Sequence, residues 1–227
     1  MTPEALIFDV FGTLVDWRTS VARDVEVALP DIDAFAFADA WRGEYQPAMQ
    51  RIRAGNRGYV ALDDLHLENL AIVADRFGVT PSDPEALNKT WERLAPWPDT
   101  VAGLARLKPH AILAPCSNGS IGLMTRLARY GGLPWDCILG AEIAQDYKPK
   151  PGVYLAACAA LRLPPAKVMM VAAHNDDLAA ARGVGLQTAF IPRPLEHGPD
   201  TIAEVEATQD WDHVADSVLT LAERLGW

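Results

Sequence analysis

From Pro98 to the end of the chain, short apolar runs take turns with stretches of helical spacing, and this rhythm restricts the fold more than any single segment does. Helical spacing over 100–107 precedes an apolar run at 111–114, 121–130 precedes 137–139, 153–161 precedes 168–171, and 178–183 precedes 188–191, with one more helix over 214–225. Strands separated by helices join as parallel neighbours rather than hairpins, so the fold class read here is α/β, a doubly wound parallel sheet covered on both faces. Leu6, Ile7 and Phe8 form one further buried strand, running into a turn at Gly12 and Thr13. Between 16 and 96 only helical spacing is found, over 34–52, 62–77 and 84–94, with no convincing strand. This block is read as an insertion: a core domain of 1–15 and 97–227 carries a helical cap domain, 16–96, over one sheet edge.

Hydrophobic residues make up 50% and charged residues 22% of the 227, an ordinary globular balance. The formal charge of -10 is spread along the chain and would repel a phosphate backbone, which argues against nucleic acid as a partner. An anionic ligand would then need a local pocket where Arg and Lys outvote the global field. No apolar stretch approaches the roughly 20 residues of a membrane helix, and no basic-then-apolar leader opens the sequence, so the expectation is a cytoplasmic protein without membrane contact. Cys116, Cys137 and Cys158 lack metal spacing and lie in apolar runs, as free thiols in a reducing compartment do. His66, His110, His197 and His213 lack metal spacing too, and the seven tryptophans read as core and cap packing.

Parallel sheets bind ligands beyond the carboxyl ends of their strands, so the polar residues found there are the site candidates. Asp9 ends the first strand, where a carboxylate needs a cation or hydrogen bonds. Ser117, Asn118 and Gly119 follow the next strand as an anion cradle. Lys148 sits in Tyr147-Lys148-Pro149-Lys150-Pro151, a stretch that the prolines stiffen, and His174-Asn175-Asp176-Asp177 follow the run Val168 to Val171. Each has a plainer reading taken alone: a turn cap for Asp9, helix caps for Ser117 or Asn118 and for one of the aspartates. Together they form a set of different chemistry, a carboxylate nucleophile, a lysine to keep it ionised, an anion cradle and an acid to activate water.

Residues Leu6 to Leu14, reading Leu-Ile-Phe-Asp-Val-Phe-Gly-Thr-Leu, resemble the first motif of the haloacid dehalogenase (HAD) superfamily, and Ser117-Asn118, Lys148 and Asp177 are similar to the second, third and fourth. The resemblance is ordered, covers nearly the whole chain, and implies a Rossmann-like core with a cap. Phosphatases of the superfamily carry a second Asp two residues after the nucleophile, as general acid. Here that position is Phe11, which moves no proton. The L-2-haloacid dehalogenases (type II) place an aromatic residue there. Trp41-Arg42 resembles their halide-gripping cap segment, and Lys148-Pro149 through Tyr154 resembles their lysine and tyrosine run.

The resemblance implies that Asp9 displaces halide from a small halogenated carboxylate, giving an ester that water near Asp177 hydrolyses to a 2-hydroxy acid. Arg42 would receive the halide, Ser117 and neighbouring N–H groups the substrate carboxylate, while Phe11, Trp41, Asn118 and Tyr154 shape the pocket. A homodimer is implied as well. No cofactor is required; the Asp176-Asp177 pair leaves magnesium as an alternative, of the kind phosphatases use. One departure stands out: Ala172-Ala173-His174-Asn175 replaces serines and an asparagine common in that family. This form, with Arg193 to Pro199, resembles a subgroup containing fluoride-releasing enzymes, which makes His174 a second donor to fluoride beside Arg42, or a histidine held by backbone alone. The competing functions are a magnesium-dependent phosphatase or phosphonate hydrolase on the same fold, and a non-catalytic metabolite binder.

Overall fold

The computed structural model describes residues 2–55, 57–199, 201 and 205–227. The opening apolar run forms β1 (Ala5–Phe8), buried on both faces. A tight turn leads to β2 (Val15–Asp16) and then to five helices, α1 (Trp17–Ala28), α2 (Ala34–Gly43), α3 (Tyr45–Arg53), α4 (Leu62–Phe77) and α5 (Pro84–Asn88), before β3 (Ala95–Pro96). Strands β2 and β3 pair antiparallel, Val15 opposite Pro96, and so tie together the two ends of the helical block. The sequence reading placed no strand in this region; two-residue strands give no alternation to detect.

The span 34–52, read as one stretch of helical spacing, is two helices. Pro47 lacks an N–H and is tolerated only in a first helical turn, which is where α3 carries it. Aspartates start three of the five helices: Asp16, Asp33 and Asp83 each accept a backbone N–H of the first turn.

The alternating half contains α6 (Thr100–Leu107), β4 (Ile112–Ser117), α7 (Ile121–Gly131), β5 (Leu139–Gly140), α8 (Ala141–Ala144), α9 (Pro151–Leu161), β6 (Val168–Ala172), α10 (Asn175–Gly183), β7 (Gln187–Phe190), β8 (His213–Val214) and α11 (Val218–Arg224). Six of the strands form one parallel sheet in the order β5-β4-β1-β6-β7-β8. Beginning in the middle and winding outward both ways, this is the doubly wound α/β architecture expected. The strand expected at 111–114 runs on to Ser117, through Pro115. Proline is normally an argument against a central strand, but β5 pairs with β4 only from Cys116 onward, so on that side Pro115 interrupts no ladder.

Helices cover both faces of the sheet. On one side Leu6, Phe8, Met169 and Val171 share a core with α6, α7 and α11 that continues into the helical block, and Ala5, Ile7, Val168 and Met170 pack on the other against α9 and α10. Successive residues of a strand point to opposite faces, which is why both sets are apolar. Asp9 is the first residue beyond β1, so the topology places it at the carboxyl edge of a central strand. All three cysteines are free. Among the described residues no helix is long and apolar enough to cross a membrane.

Candidate functional site

At the carboxyl edge of β1, β4 and β6 a cleft of about 180 Å³ opens between sheet and helical block. That is below the roughly 300–1,000 Å³ of pockets for drug-sized ligands, so its occupant is small. Asp9, Asn118, Lys148, His174, Asp176 and Asp177 line it from the sheet side, and Phe11, Arg42, Tyr45 and Gln46 complete it.

Lys148 is buried between two carboxylates, its ammonium 2.8 Å from Asp9 Oδ1 and 2.5 Å from Asp177 Oδ2. The Lys148 backbone N–H donates to Asn118 Oδ1 at 2.8 Å, which fixes where the stem leaves the chain. Burial by itself would raise the Asp9 carboxyl, but the charge of Lys148 and the contact with His174 overcome it and hold the group far below the usual carboxylate range. Burial would likewise lower Lys148, and the charges of Asp177 and Asp9 reverse that. Asp177 shifts upward through burial and the nearby charge of Asp9, while its Oδ1 accepts the Tyr154 hydroxyl at 2.5 Å. Of the two, Asp9 is therefore the carboxylate held more firmly in its ionised form.

Oδ2 of Asp9 is held by different groups: the Thr13 hydroxyl donates to it at 2.7 Å and His174 Nδ1 lies 3.2 Å away. Each carboxylate oxygen offers about two lone pairs. Among the described residues Oδ2 has two such neighbours and Oδ1 has Lys148 alone, so Oδ1 keeps a lone pair for attack.

His174 meets a second carboxylate on its other face, with Nε2 3.0 and 3.2 Å from the two oxygens of Glu196. Both ring nitrogens thus face acceptors. Burial pushes the imidazole down, and the bonds to Asp9 and Glu196 carry it well above its usual value. His174 is accordingly not the free second halide donor considered from the sequence.

The other expected site residues divide. Arg42 lines the cleft with its guanidinium 4.0 Å over the Tyr45 ring, and its buried Nε has no hydrogen-bond partner among the described residues. An unspent buried donor of this kind suits an incoming anion. Phe11 presents an apolar ring, edge-on to Trp91 at 5.9 Å. Trp41 instead turns into the helical block, donating to the His66 carbonyl at 2.8 Å. Ser117 is the last residue of β4 rather than the start of a helix, and its hydroxyl accepts the Gly119 N–H at 3.1 Å; Ser120 caps α7. Asn175 faces away, donating to the Glu206 carbonyl and accepting from Thr208 N and Trp211 Nε1. Tyr154 reaches the centre only through Asp177.

Tyr45, Gln46 and Glu196 were missed. Tyr45 follows Arg42 by three residues, a spacing that puts neighbours on one side of a helical segment, and its hydroxyl accepts from Asn118 Nδ2 at 3.0 Å. Glu196 had no such spacing signal, because it arrives from a turn far along the chain; only the resemblance carried by Arg193 to Pro199 touched its segment. Arg193 anchors that turn, donating from Nε to the Thr13 carbonyl at 2.7 Å and pairing with Asp99 at 2.7 and 3.0 Å. Gly12, at φ +82°, makes room for Glu196: a Cβ there would lie 2.0 Å from Glu196 Oε1. Gly12→Ala is expected to displace Glu196 and cost about 1–3 kcal/mol, from strain in a left-handed backbone together with the clash. A denaturant midpoint together with turnover checks this.

Magnesium does not suit the donor set. The Lys148 ammonium already fills the space between Asp9 and Asp177, and the second Asp9 oxygen is taken by Thr13 and His174. Among the described residues no three His, Cys, Asp or Glu side chains converge as metal ligands do.

The arrangement resembles known proteins throughout its length. The model of the haloacid dehalogenase-like hydrolase family matches residues 3–185. A solved structure of the defluorinating L-2-haloacid dehalogenase Rha0230 is 44% identical with a TM-score of 0.96, over 99% of this chain and 96% of that one. The L-2-haloacid dehalogenase PA0810 is 46% identical with a TM-score of 0.95, over 99% and 100% of the two chains. The (S)-2-haloacid dehalogenase H-109 of Pseudomonas putida is 27% identical over 195 residues, 84% of this chain and 86% of that protein.

Proposed function

Because this chain belongs to the haloacid dehalogenase-like hydrolase family, we propose that it hydrolyses the carbon–halogen bond of small 2-haloalkanoic acids, giving 2-hydroxy acids through an ester on Asp9. The observation that carries the reading is an ionised carboxylate with one unspent lone pair, in a small cleft where Arg42 has a free donor and Phe11 stands where a phosphatase needs its acid. The relatives named for haloacid dehalogenation support the substrate class.

Attack by Asp9 Oδ1 on the carbon next to the substrate carboxylate forms a C–O bond as the C–X bond breaks, and the halide leaves with its electron pair toward Arg42. A hydrogen bond from a guanidinium stabilises that developing charge. Phe11 keeps water from competing in this step, and Asn118 with the turn around it receives the substrate carboxylate. Water then attacks the aspartyl carbonyl near Asp177. In this reading the segment 16–96 acts as a cap over the core formed by 1–15 and 97–227. Three free thiols accord with a cytoplasmic enzyme, and the family resemblance with a homodimer.

Fluoride release falls within the proposal, with Arg42 as its donor, and the 44% identical relative named as defluorinating supports it. A halide-release panel over fluoro-, chloro- and bromoacetate and both 2-chloropropionate enantiomers is the test. Chloroacetate should give glycolate, one enantiomer should be strongly preferred, and a chelator should change nothing. Glycolate from chloroacetate but none from fluoroacetate would remove fluoride from the substrate range. In heavy-oxygen water, a single turnover should place the label in Asp9 and leave the product unlabelled.

A further inference from the structure

Glu196 enters the site from the turn after β7, is buried, and touches His174 without touching the cleft. Three features hold it there: Trp17 Nε1, 3.3 Å from Oε1, the absence of a side chain at Gly12, and the Arg193 anchor. We propose that Glu196 is a positioning residue for the second half of the reaction: it orients His174 so that the Nδ1–H is presented to Oδ2 of Asp9. There, with the Thr13 hydroxyl, it stabilises the charge that builds when water attacks the ester. The inference rests on the dehalogenase reading above.

Once Oδ1 carries the substrate carbon, Oδ2 is the ester carbonyl oxygen. Water oxygen bonds to Cγ, the carbonyl electron pair moves onto Oδ2, and the water proton passes to Asp177. Collapse breaks the Cγ–Oδ1 bond; Oδ1 leaves with the substrate carbon and takes up a proton, and Asp9 regains a carboxylate containing the water oxygen. The net release is one proton. Donors aimed at the oxygen where charge develops are the usual device for this step.

Beside the Glu196 carboxylate a singly protonated imidazole keeps its hydrogen on Nε2, so Nδ1 donates to Oδ2 while both ring nitrogens carry hydrogen. In the resting enzyme two carboxylates enforce this. Alkylation removes the charge of Asp9, and the groups around the pair divide by sign. Lys148 stands beside Asp9 and the charge of Arg42 acts on Glu196, both disfavouring a charged imidazole, while His197 Nε2 lies 4.0 Å from Glu196 Oε1. Asp177 is tied to Lys148, and Asp176 lies at the cleft wall. Glu196 is the carboxylate that remains in contact with the ring.

The test is rapid-quench kinetics with chloroacetate on the wild type, Glu196→Gln and Glu196→Asp, with the ester on Asp9 followed by intact mass. Glu196→Gln should keep the first-turnover chloride burst within about threefold while ester hydrolysis slows about 10²-fold, the usual effect of losing one such donor, so that alkylated enzyme accumulates. Glu196→Asp should recover part of the loss. Wild-type ester hydrolysis should fall on the alkaline side, and in Glu196→Gln that fall should move to lower pH.

Equal slowing of burst and hydrolysis, unchanged hydrolysis, or wild-type hydrolysis that rises with pH through neutrality, as a histidine base requires, would overturn the proposal. The His174 imidazole titration read by NMR is independent of turnover: it should move down in Glu196→Gln, and an unmoved titration counts against Glu196 as its holder. Should the wild type release no halide from any 2-haloacid, the dehalogenase reading fails, whereas this titration still reports on the pair.

Discussion

Asp9→Asn is expected to abolish halide release, by about 10⁴-fold or more, while leaving a folded protein. Loss of a nucleophile that forms a covalent intermediate removes the whole route rather than one increment of it. The amide is neutral and nearly the same shape, so it keeps the contact with Thr13. Lys148 retains Asp177 and His174 retains Glu196. Circular dichroism and the thermal midpoint should therefore change far less than turnover does. A wild type that released no halide and bound its ligand no differently from the Asp9→Asn variant would return the chain to the class of binding proteins.

Lys148→Met should damage stability and catalysis together. The ammonium bridges two buried carboxylates, and its loss leaves Asp9 and Asp177 facing each other without a cation. Removing one partner of a buried pair costs about 3–5 kcal/mol, because an uncompensated charge stays behind. The sign of the pH dependence follows from Asp9. Its carboxyl is held far below its unfolded value, so the stability it contributes is present above about pH 4 and lost as pH falls toward its folded value. In the variant that contribution disappears, and the deficit against wild type should be largest at neutral pH and shrink as acid protonates one of the two carboxylates. Urea unfolding at pH 7 and pH 4.5 measures this; an equal deficit at both would mean that lost packing, rather than charge, is responsible. Turnover should fall by at least about 10³-fold, since Asp9 is then no longer held ionised at little cost.

Asp9, Lys148, Asp177 and Phe11 were legible because each sits within five residues of a strand end or in a proline-stiffened run, where local pattern and position in the sheet are nearly the same information. Arg42 was legible by resemblance alone, and the structure brings the residue to the cleft wall, its buried Nε without a hydrogen-bond partner among the described residues. Trp41, Ser117 and Asn175 are adjacent in sequence to true cleft residues yet turn elsewhere. On helices and strands a neighbour in sequence points to a different side, and only the packing partners (His66, Gly119 and the 206–211 loop) show which side. The strand expected to stop at Ala114 continues to Ser117 because the missing N–H of Pro115 matters only where a neighbouring strand would have used it.

What the sequence by itself determined was the alternating parallel architecture, the helical block that follows the first strand, and the candidate pair of Asp9 and Lys148, since these depend on periodicity and on residues at strand ends. What only the tertiary structure decided was the company Asp9 keeps on its second oxygen. Trp17 and Glu196 meet across 179 positions, and Arg193 reaches Thr13 across 180. Contacts of such range are selected by how layers stack, and no local spacing encodes them. The protonation of His174 follows from that stacking, because a buried imidazole takes its charge from whichever carboxylates the fold brings to its two faces.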